Sequence, residues 1–171
     1  MTDGRKLSDL TADDVENIIC DNYDDIYRYC YWKVRNSSEA EDLTQETFLK
    51  FVQCICNYSE QGKPKALLYT IARNLCINWY KRIKPLPLSE IEETSYVISE
   101  TEQIENKIAL KQALKELSPE QQEILLLRFG QELQVNEIAN IMKMNRFAVM
   151  YRIRTALNTL NKKLGKGGFT T

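Results

Sequence analysis

Apolar residues recur at helical spacing along almost the whole of this chain. From residue 15 they run Val15, Ile18, Ile19, Tyr23, Ile26, Tyr27, Cys30, Tyr31 and Val34, which predicts a first helix. Asn36-Ser37-Ser38 interrupts the pattern. Ser38 and Glu41 have the spacing of a capping box, and the helix they open is expected to bury Ala40, Leu43, Thr47, Phe48, Phe51, Val52 and Ile55. A turn-rich loop, Asn57 to Gly62, precedes a third helix with Pro64 in its first turn and Leu68, Ile71, Ala72, Leu75 and Trp79 facing inward. These three helices predict a small bundle ending near Lys84.

Residues 85–100 (PLPLSEIEETSYVISE) break the periodicity with two prolines, several glutamates and no basic residue, the composition of a flexible acidic linker. The helical pattern resumes near Thr101 with Ile104, Ile108, Ala109, Leu114 and Leu117. Ser118-Pro119-Glu120-Gln121 combines an N-cap, a first-turn proline and a glutamine that completes the box; Ile124 to Phe129 follows, stopped by Gly130. A short helix over Val135–Met142, a tight turn at Lys143-Met144-Asn145 and a longer helix from Arg146 to about Leu164 make a helix-turn-helix candidate. Ile138, Ala139, Met142, Met144, Val149 and Ile153 would supply its small core. The predicted fold is all-α: two small helical domains, residues 1–84 and 101–171, joined by the flexible acidic linker 85–100, the second domain with a helix-turn-helix.

Charge sharpens this division. The formal net charge is only -1, but residues 1–60 carry thirteen acids against six bases and residues 61–84 carry six bases and no acid. Residues 85–124 then carry nine acids against three bases, and residues 125–171 eight bases against two acids. Two separate basic patches imply two separate anionic contacts. In the first, Tyr69, Trp79 and Tyr80 lie among Lys63, Lys65, Arg73, Lys81, Arg82 and Lys84. Basic groups attract phosphates and aromatic faces stack on bases, the pairing that single-stranded nucleic acid requires. An amphipathic helix with a solvated basic face has the same signature, and the position of Trp79 on the apolar seam favours the core over stacking. In the second patch, the helix-turn-helix would present Arg146, Phe147, Met150, Tyr151, Arg152 and Arg154 to base edges, with Lys162, Lys163 and Lys166 towards phosphates.

Cys20, Cys30, Cys54, Cys56 and Cys76 are odd in number, no secretory signal precedes them, and no apolar run is long enough to span a bilayer. A cytoplasmic protein with structural thiols is expected. Cys54-x-Cys56 places its thiols on different helix faces, and the chain has no histidine, so no metal or cofactor site is expected.

Three segments carry a resemblance: AEDLTQETFLKF (Ala40–Phe51), LYTIARNLCINWYKR (Leu68–Arg82) and ELSPEQQEILLLRF…EIANIMKMNRFAVMYRIRTAL (Glu116–Leu157). In this order they resemble bacterial sigma factors of the sigma-70 family, specifically the short, two-domain extracytoplasmic-function (ECF) group. The resemblance implies a factor that binds core RNA polymerase, directs it to minus-10 and minus-35 promoter elements and promotes melting. It implies docking on the polymerase β′ coiled-coil through Asp42, Leu43, Gln45, Glu46 and Leu49, with the β subunit as a further contact. The minus-10 strand would meet Asn57, Tyr58, Lys63, Lys65, Tyr69, Arg73, Asn74, Asn78, Tyr80, Lys81 and Arg82, with a flipped base received by the loop before Pro64. Minus-35 DNA would meet Arg146, Phe147, Met150, Tyr151, Arg152 and Arg154. Further implied partners are promoter DNA and an anti-sigma factor, with no small-molecule substrate, no cofactor and no membrane insertion.

The chain departs from the family pattern at five positions. Leu67 stands where tryptophan is usual, Asn78 where aspartate is, Lys143 in a turn that often uses glycine, and Phe147 and Met150 where small or basic residues are common. A stand-alone helix-turn-helix regulator would account for residues 118–164 but not for the acidic helix and the basic-aromatic helix of the first half. An enzyme would need a histidine, a Gly-rich phosphate loop or a metal-ligand cluster, and the sequence offers none of these.

Overall fold

The computed structural model describes residues 10–55, 63–83 and 104–164, all of whose regular elements are helical. The loop containing Asn57 and Tyr58, the linker 85–100 and the side chains of Ile104, Ile108 and Ala109 lie outside the described residues. The chain divides into two compact units, Met1–Thr94 and Ser95–Thr171.

In the first unit α1 (Ala12–Val34), α2 (Ser37–Ile55) and α3 (Pro64–Ile83) each pack against the other two. α1 opens on a capping box in which Thr11 Oγ1 accepts the Asp14 N–H at 3.2 Å and Asp14 accepts the Thr11 N–H at 2.9 Å. It closes at Arg35, whose left-handed φ of 56° turns its N–H onto the Tyr31 carbonyl at 2.9 Å. The predicted Ser38–Glu41 box is corrected by the structure. α2 starts at Ser37, and Asn36 is the cap, its Oδ1 accepting the Glu39 N–H at 3.1 Å.

The core of this unit joins Ile26, Tyr29, Cys30 and Val34 to Ala40, Leu43, Phe48, Phe51 and Ile55, and to Leu67, Leu68, Tyr69, Ala72, Leu75 and Cys76. Thr44 and Thr47 are buried too, each hydroxyl satisfied by the carbonyl four residues back at 2.6 Å. Three positions expected on the seam are not in the core. Val52 is 43% exposed, and Ile71 and Trp79 are half-buried.

In the second unit α4 (Ile104–Lys115), α5 (Pro119–Leu125) and α7 (Arg146–Leu164) meet around Ala113, Leu117, Leu125, Ala156 and Leu160, and α6 (Val135–Met142) packs on α7. The Ser118–Gln121 box forms as the sequence predicts, with bonds of 3.1 and 3.2 Å. The helix does not stop at Gly130 in ordinary α form, because Leu126–Gly130 is a single π-helical turn. The Gln131 N–H reaches the Leu126 carbonyl at 3.0 Å, an i to i−5 bond. Lys143 takes the left-handed conformation (φ 55°) and lets the Met144 N–H reach the Ala139 carbonyl at 2.9 Å. Asn145 Oδ1 then accepts the Ala148 N–H at 2.7 Å and starts α7. Two turns of defined geometry therefore fix where α7 begins and which face it shows.

Candidate protein- and nucleic-acid-binding surfaces

Four of the five docking residues expected on α2 share one face. Asp42, Gln45, Glu46 and Leu49 are spaced three and four apart, which puts them side by side. Asp42 and Gln45 are exposed, Glu46 sits 3.5 Å from Lys50, and Leu49 is 59% exposed. Leu43 is a correction. At 3% exposure it belongs to the bundle core and reaches no partner directly. Val52, three residues beyond Leu49, joins the exposed face instead. Its spacing from Leu49 and Gln45 was the signal that placed it there, outweighed in the sequence by its i+4 relation to Phe48. The face combines acidic and amide groups with two aliphatic side chains that the bundle leaves uncovered.

On α3 the structure divides the predicted strand-binding residues. Asn74, Asn78 and Lys81 follow i, i+4, i+7 and line one face, with Lys63 and Arg82 exposed beside it. Lys65 turns the other way and pairs with Asp25 of α1 at 3.6 Å. Tyr69 is a second correction: it is 1% exposed and packs edge-on against Tyr29, with ring centroids 5.2 Å apart and planes at 87°. No base can stack on it. Trp79 is half-buried and donates its Nε1–H to Glu39 at 2.6 Å, which ties α3 to the start of α2.

Tyr80 is 37% exposed and its hydroxyl donates to the Lys33 carbonyl. Burial raises its phenol above the ordinary range, Cys76 adds to this, and Arg35 partly opposes it. The same burial lowers the Arg35 guanidinium, with Tyr80 and Tyr31 opposing. Lys33, which the sequence reading passed over, holds its Nζ 4.8 Å from the Trp32 ring centroid and 5.8 Å from that of Tyr29. The run Tyr27–Arg35 (YRYCYWKVR) mixes aromatic and basic residues as densely as α3 does, and that signal could have found it.

On α7 Phe147, Tyr151 and Met150 are 73%, 69% and 49% exposed, and the Arg146 guanidinium lies 5.6 Å from the Phe147 ring centroid. Arg154 is exposed and borders a groove of about 390 Å³ whose walls include Arg128, Val135, Met150, Ile153 and Leu157. Arg152 differs from the others. Its Nε lies 2.7 Å from Glu120, while Gln121 donates to Thr155 at 3.2 Å, so two side chains from the start of α5 grip the flank of α7.

Among the described residues no group of three histidine, cysteine, aspartate or glutamate side chains could hold a metal ion, and no helix is long and apolar enough to cross a membrane. Of the thiols described, Cys20 and Cys54 are exposed and Cys30 and Cys76 buried. Among these four, the structural role expected of all five fits Cys30 and Cys76, and Cys56 lies outside the described residues.

Comparison with known proteins follows the same division. The family profile for Sigma-70 region 2 matches residues 18–85, and that for Sigma-70, region 4 matches residues 113–162. ECF RNA polymerase sigma factor BldN of Streptomyces coelicolor is 38% identical over 155 residues, which cover 84% of this chain; the chain spans 58% of that protein's length. ECF RNA polymerase sigma factor SigM of Bacillus subtilis is 33% identical over 144 residues, covering 80% of this chain and 88% of SigM. The sigma factor RpoE of Bartonella quintana, solved in complex with the anti-sigma factor NepR, shares the fold. It has a TM-score of 0.69 at 18% identity, over 92% of this chain and all of that one.

Proposed function

We propose, since the chain belongs to the extracytoplasmic-function group of sigma-70 RNA polymerase sigma factors, that it binds core RNA polymerase, directs it to minus-10 and minus-35 promoter elements and promotes melting. The observation that carries this reading is the match of both region profiles, in order, to two units with chemically different exposed faces.

The α2 face of Asp42, Gln45, Glu46, Leu49 and Val52 is the proposed polymerase dock. Its carboxylates suit basic partner side chains, and its two aliphatic groups give the contact an apolar centre that a solvated helix would not need. Lys63, Arg73, Asn74, Asn78, Lys81 and Arg82 hold the minus-10 strand, and Asn57 and Tyr58 receive the extruded base. Extrusion costs a few kcal/mol, so hydrogen bonds and stacking in that loop must offset it. Lys65 turns away from this surface to pair with Asp25, and the Tyr80 hydroxyl is held by the Lys33 carbonyl.

The minus-35 reader is the exposed face of α7, with Arg146, Phe147, Met150, Tyr151 and Arg154 towards DNA. Arg152 acts first as a tether to Glu120 and meets phosphate only by exchanging that partner. The protein has no catalytic chemistry of its own, works in the cytoplasm, and is held inactive by an anti-sigma factor that covers these faces.

Reconstitution tests the proposal. Purified chain, core polymerase and genomic fragments should give transcripts from discrete start sites that neither component gives alone. Binding to duplex DNA with no stable core complex would replace this reading with that of an independent helix-turn-helix regulator.

A further inference from the structure

α1 and α3 run side by side in the same direction. Lys65 pairs with Asp25 at 3.6 Å, Tyr69 meets Tyr29 edge-on, and the Tyr80 hydroxyl donates to the Lys33 carbonyl, so the C-terminal ends of the two helices meet at a common rim. On the α1 side the core takes up Ile26, Tyr29, Cys30 and Val34, while Arg28 is exposed and Trp32 and Lys33 are half-buried. Arg28 and Trp32 are four residues apart and therefore neighbours on the helix surface. The Lys33 Nζ, 4.8 Å from the Trp32 ring centroid, holds a cation beside the indole. On the α3 side the Tyr80 ring is 37% exposed, and its bonded hydroxyl fixes it across the seam.

The rim is also cationic. Residues 26–38 carry three bases and residues 61–84 six, with no acid in either run. The carboxylates that flank the first run are engaged, Asp25 by Lys65 and Glu39 by the Trp79 Nε1–H at 2.6 Å. Cations set among aromatic rings fit a chain of phosphates and bases; an acidic peptide would match the charge and leave the rings without a stacking partner.

We propose that Arg28, Trp32 and Lys33 of α1, with Tyr80 of α3, bind single-stranded DNA that continues the strand held by Asn74, Asn78 and Lys81. Trp32 and Tyr80 stack on bases, Arg28 and Lys33 meet phosphates, and Lys81, next to Tyr80 in the chain, links the two surfaces. Both rings are already held, Trp32 beside Lys33 and Tyr80 by its hydroxyl, so binding costs little side-chain freedom. The inference rests on the proposed reading of α3 and carries its strand onto a helix with no contact assigned to it.

The test titrates the full chain into a fluorescein-labelled oligo-dT of about twenty nucleotides and follows anisotropy between about 50 and 200 mM salt. Trp32→Leu should weaken binding about 5-fold or more with an unchanged salt dependence, and Trp32→Phe should restore most of the affinity. Arg28→Ala should reduce the slope of log affinity against log salt by about 0.7, the share of one phosphate on a single strand. Trp79 remains in every variant, so its fluorescence checks that the first unit is folded; Arg28, being exposed, carries the test if Trp32→Leu does not fold. Asn78→Ala combined with Lys81→Ala is the parallel variant on α3. If it weakens binding while the Trp32 and Arg28 variants match the natural chain, the α1 surface is refuted and the α3 reading stands. The reverse result upholds the α1 surface and removes the α3 reading. A natural chain with no affinity for oligo-dT, or with higher affinity for oligo-U, would overturn the proposal.

Discussion

Tyr69 decides between two uses of α3, because the sequence offers it as a base-stacking side chain and the structure encloses it. Tyr69→Ala removes a ring that is 1% exposed and sits 5.2 Å from Tyr29. Truncating a buried aromatic costs about 3–5 kcal/mol, of which the edge-to-face contact supplies roughly 0.5–1.5. A small domain has a total stability of order 5–15 kcal/mol, so this is a large share. At a urea dependence of about 1–1.5 kcal/mol per molar, the midpoint should fall by roughly 2–5 M. The chain's two tryptophans, Trp32 and Trp79, both lie in the first unit, so their fluorescence follows that unit's unfolding without a signal from the second. Tyr69→Phe, which keeps the ring, should stay within about 1.5 kcal/mol of the natural protein. A Tyr69→Ala protein that unfolds at the natural midpoint but has lost affinity for minus-10 single strands would refute the argument.

Four further substitutions test separate parts of it. Leu49→Asp should abolish core-polymerase binding in a pull-down while leaving the urea midpoint within about 0.5 kcal/mol, because Leu49 is 59% exposed; Leu43→Ala should instead cost about 2–5 kcal/mol. Lys143→Gly should stabilise the second unit by about 1 kcal/mol in thermal melts, since Lys143 holds φ at 55° where a Cβ is disfavoured. Tyr80 has a folded pKa above its ordinary value of 10.0, so the native state keeps the proton longer than the unfolded chain does. Stability should therefore fall as pH rises above about 10, and Tyr80→Phe should flatten that slope in midpoints measured between pH 9 and 11.

What the sequence made legible was mostly local. The Ser118 box, the helix Val135–Met142 and the turn at Lys143–Asn145 each depend on residues three to five apart, and all formed where the pattern put them. The helix between them was harder, since a π turn replaces i to i−4 bonds with i to i−5 bonds and leaves the apolar pattern almost unchanged. The width of a buried stripe is also not local. α2 and α3 each face two neighbours, so their buried arcs are wider than a single stripe, and Leu43 and Tyr69 fall inside them. Val52 lies at the edge of the α2 arc, within one turn of Phe48 and Ile55, and is 43% exposed. The exposed face of α2 was therefore legible in its polar members, while Leu43, assigned to it, is buried and Val52, assigned to the core, is exposed.

Basic residues show the same limit and bear on affinity. Counting charge along the chain treats every lysine and arginine as available to phosphate, but folding commits several of them. Lys65 lies 3.6 Å from Asp25, Arg152 lies 2.7 Å from Glu120, Lys163 lies 2.8 Å from Glu116, and Arg128 bonds the Leu133 carbonyl at 3.0 Å. The salt dependence of DNA binding counts only charges that neutralise phosphates, so the second unit should show a weaker dependence than its eleven bases would give. The commitments are shallow. The Arg152 and Glu120 side chains are 34% and 39% exposed, and ion pairs of that kind contribute about 0–1 kcal/mol. A phosphate can therefore replace Glu120 at little cost, and the same carboxylate restrains Arg152 when no DNA is present. On the proposed function, a free second unit is expected to bind DNA weakly by itself, with promoter selection left to polymerase-bound protein, where both units act on one DNA molecule.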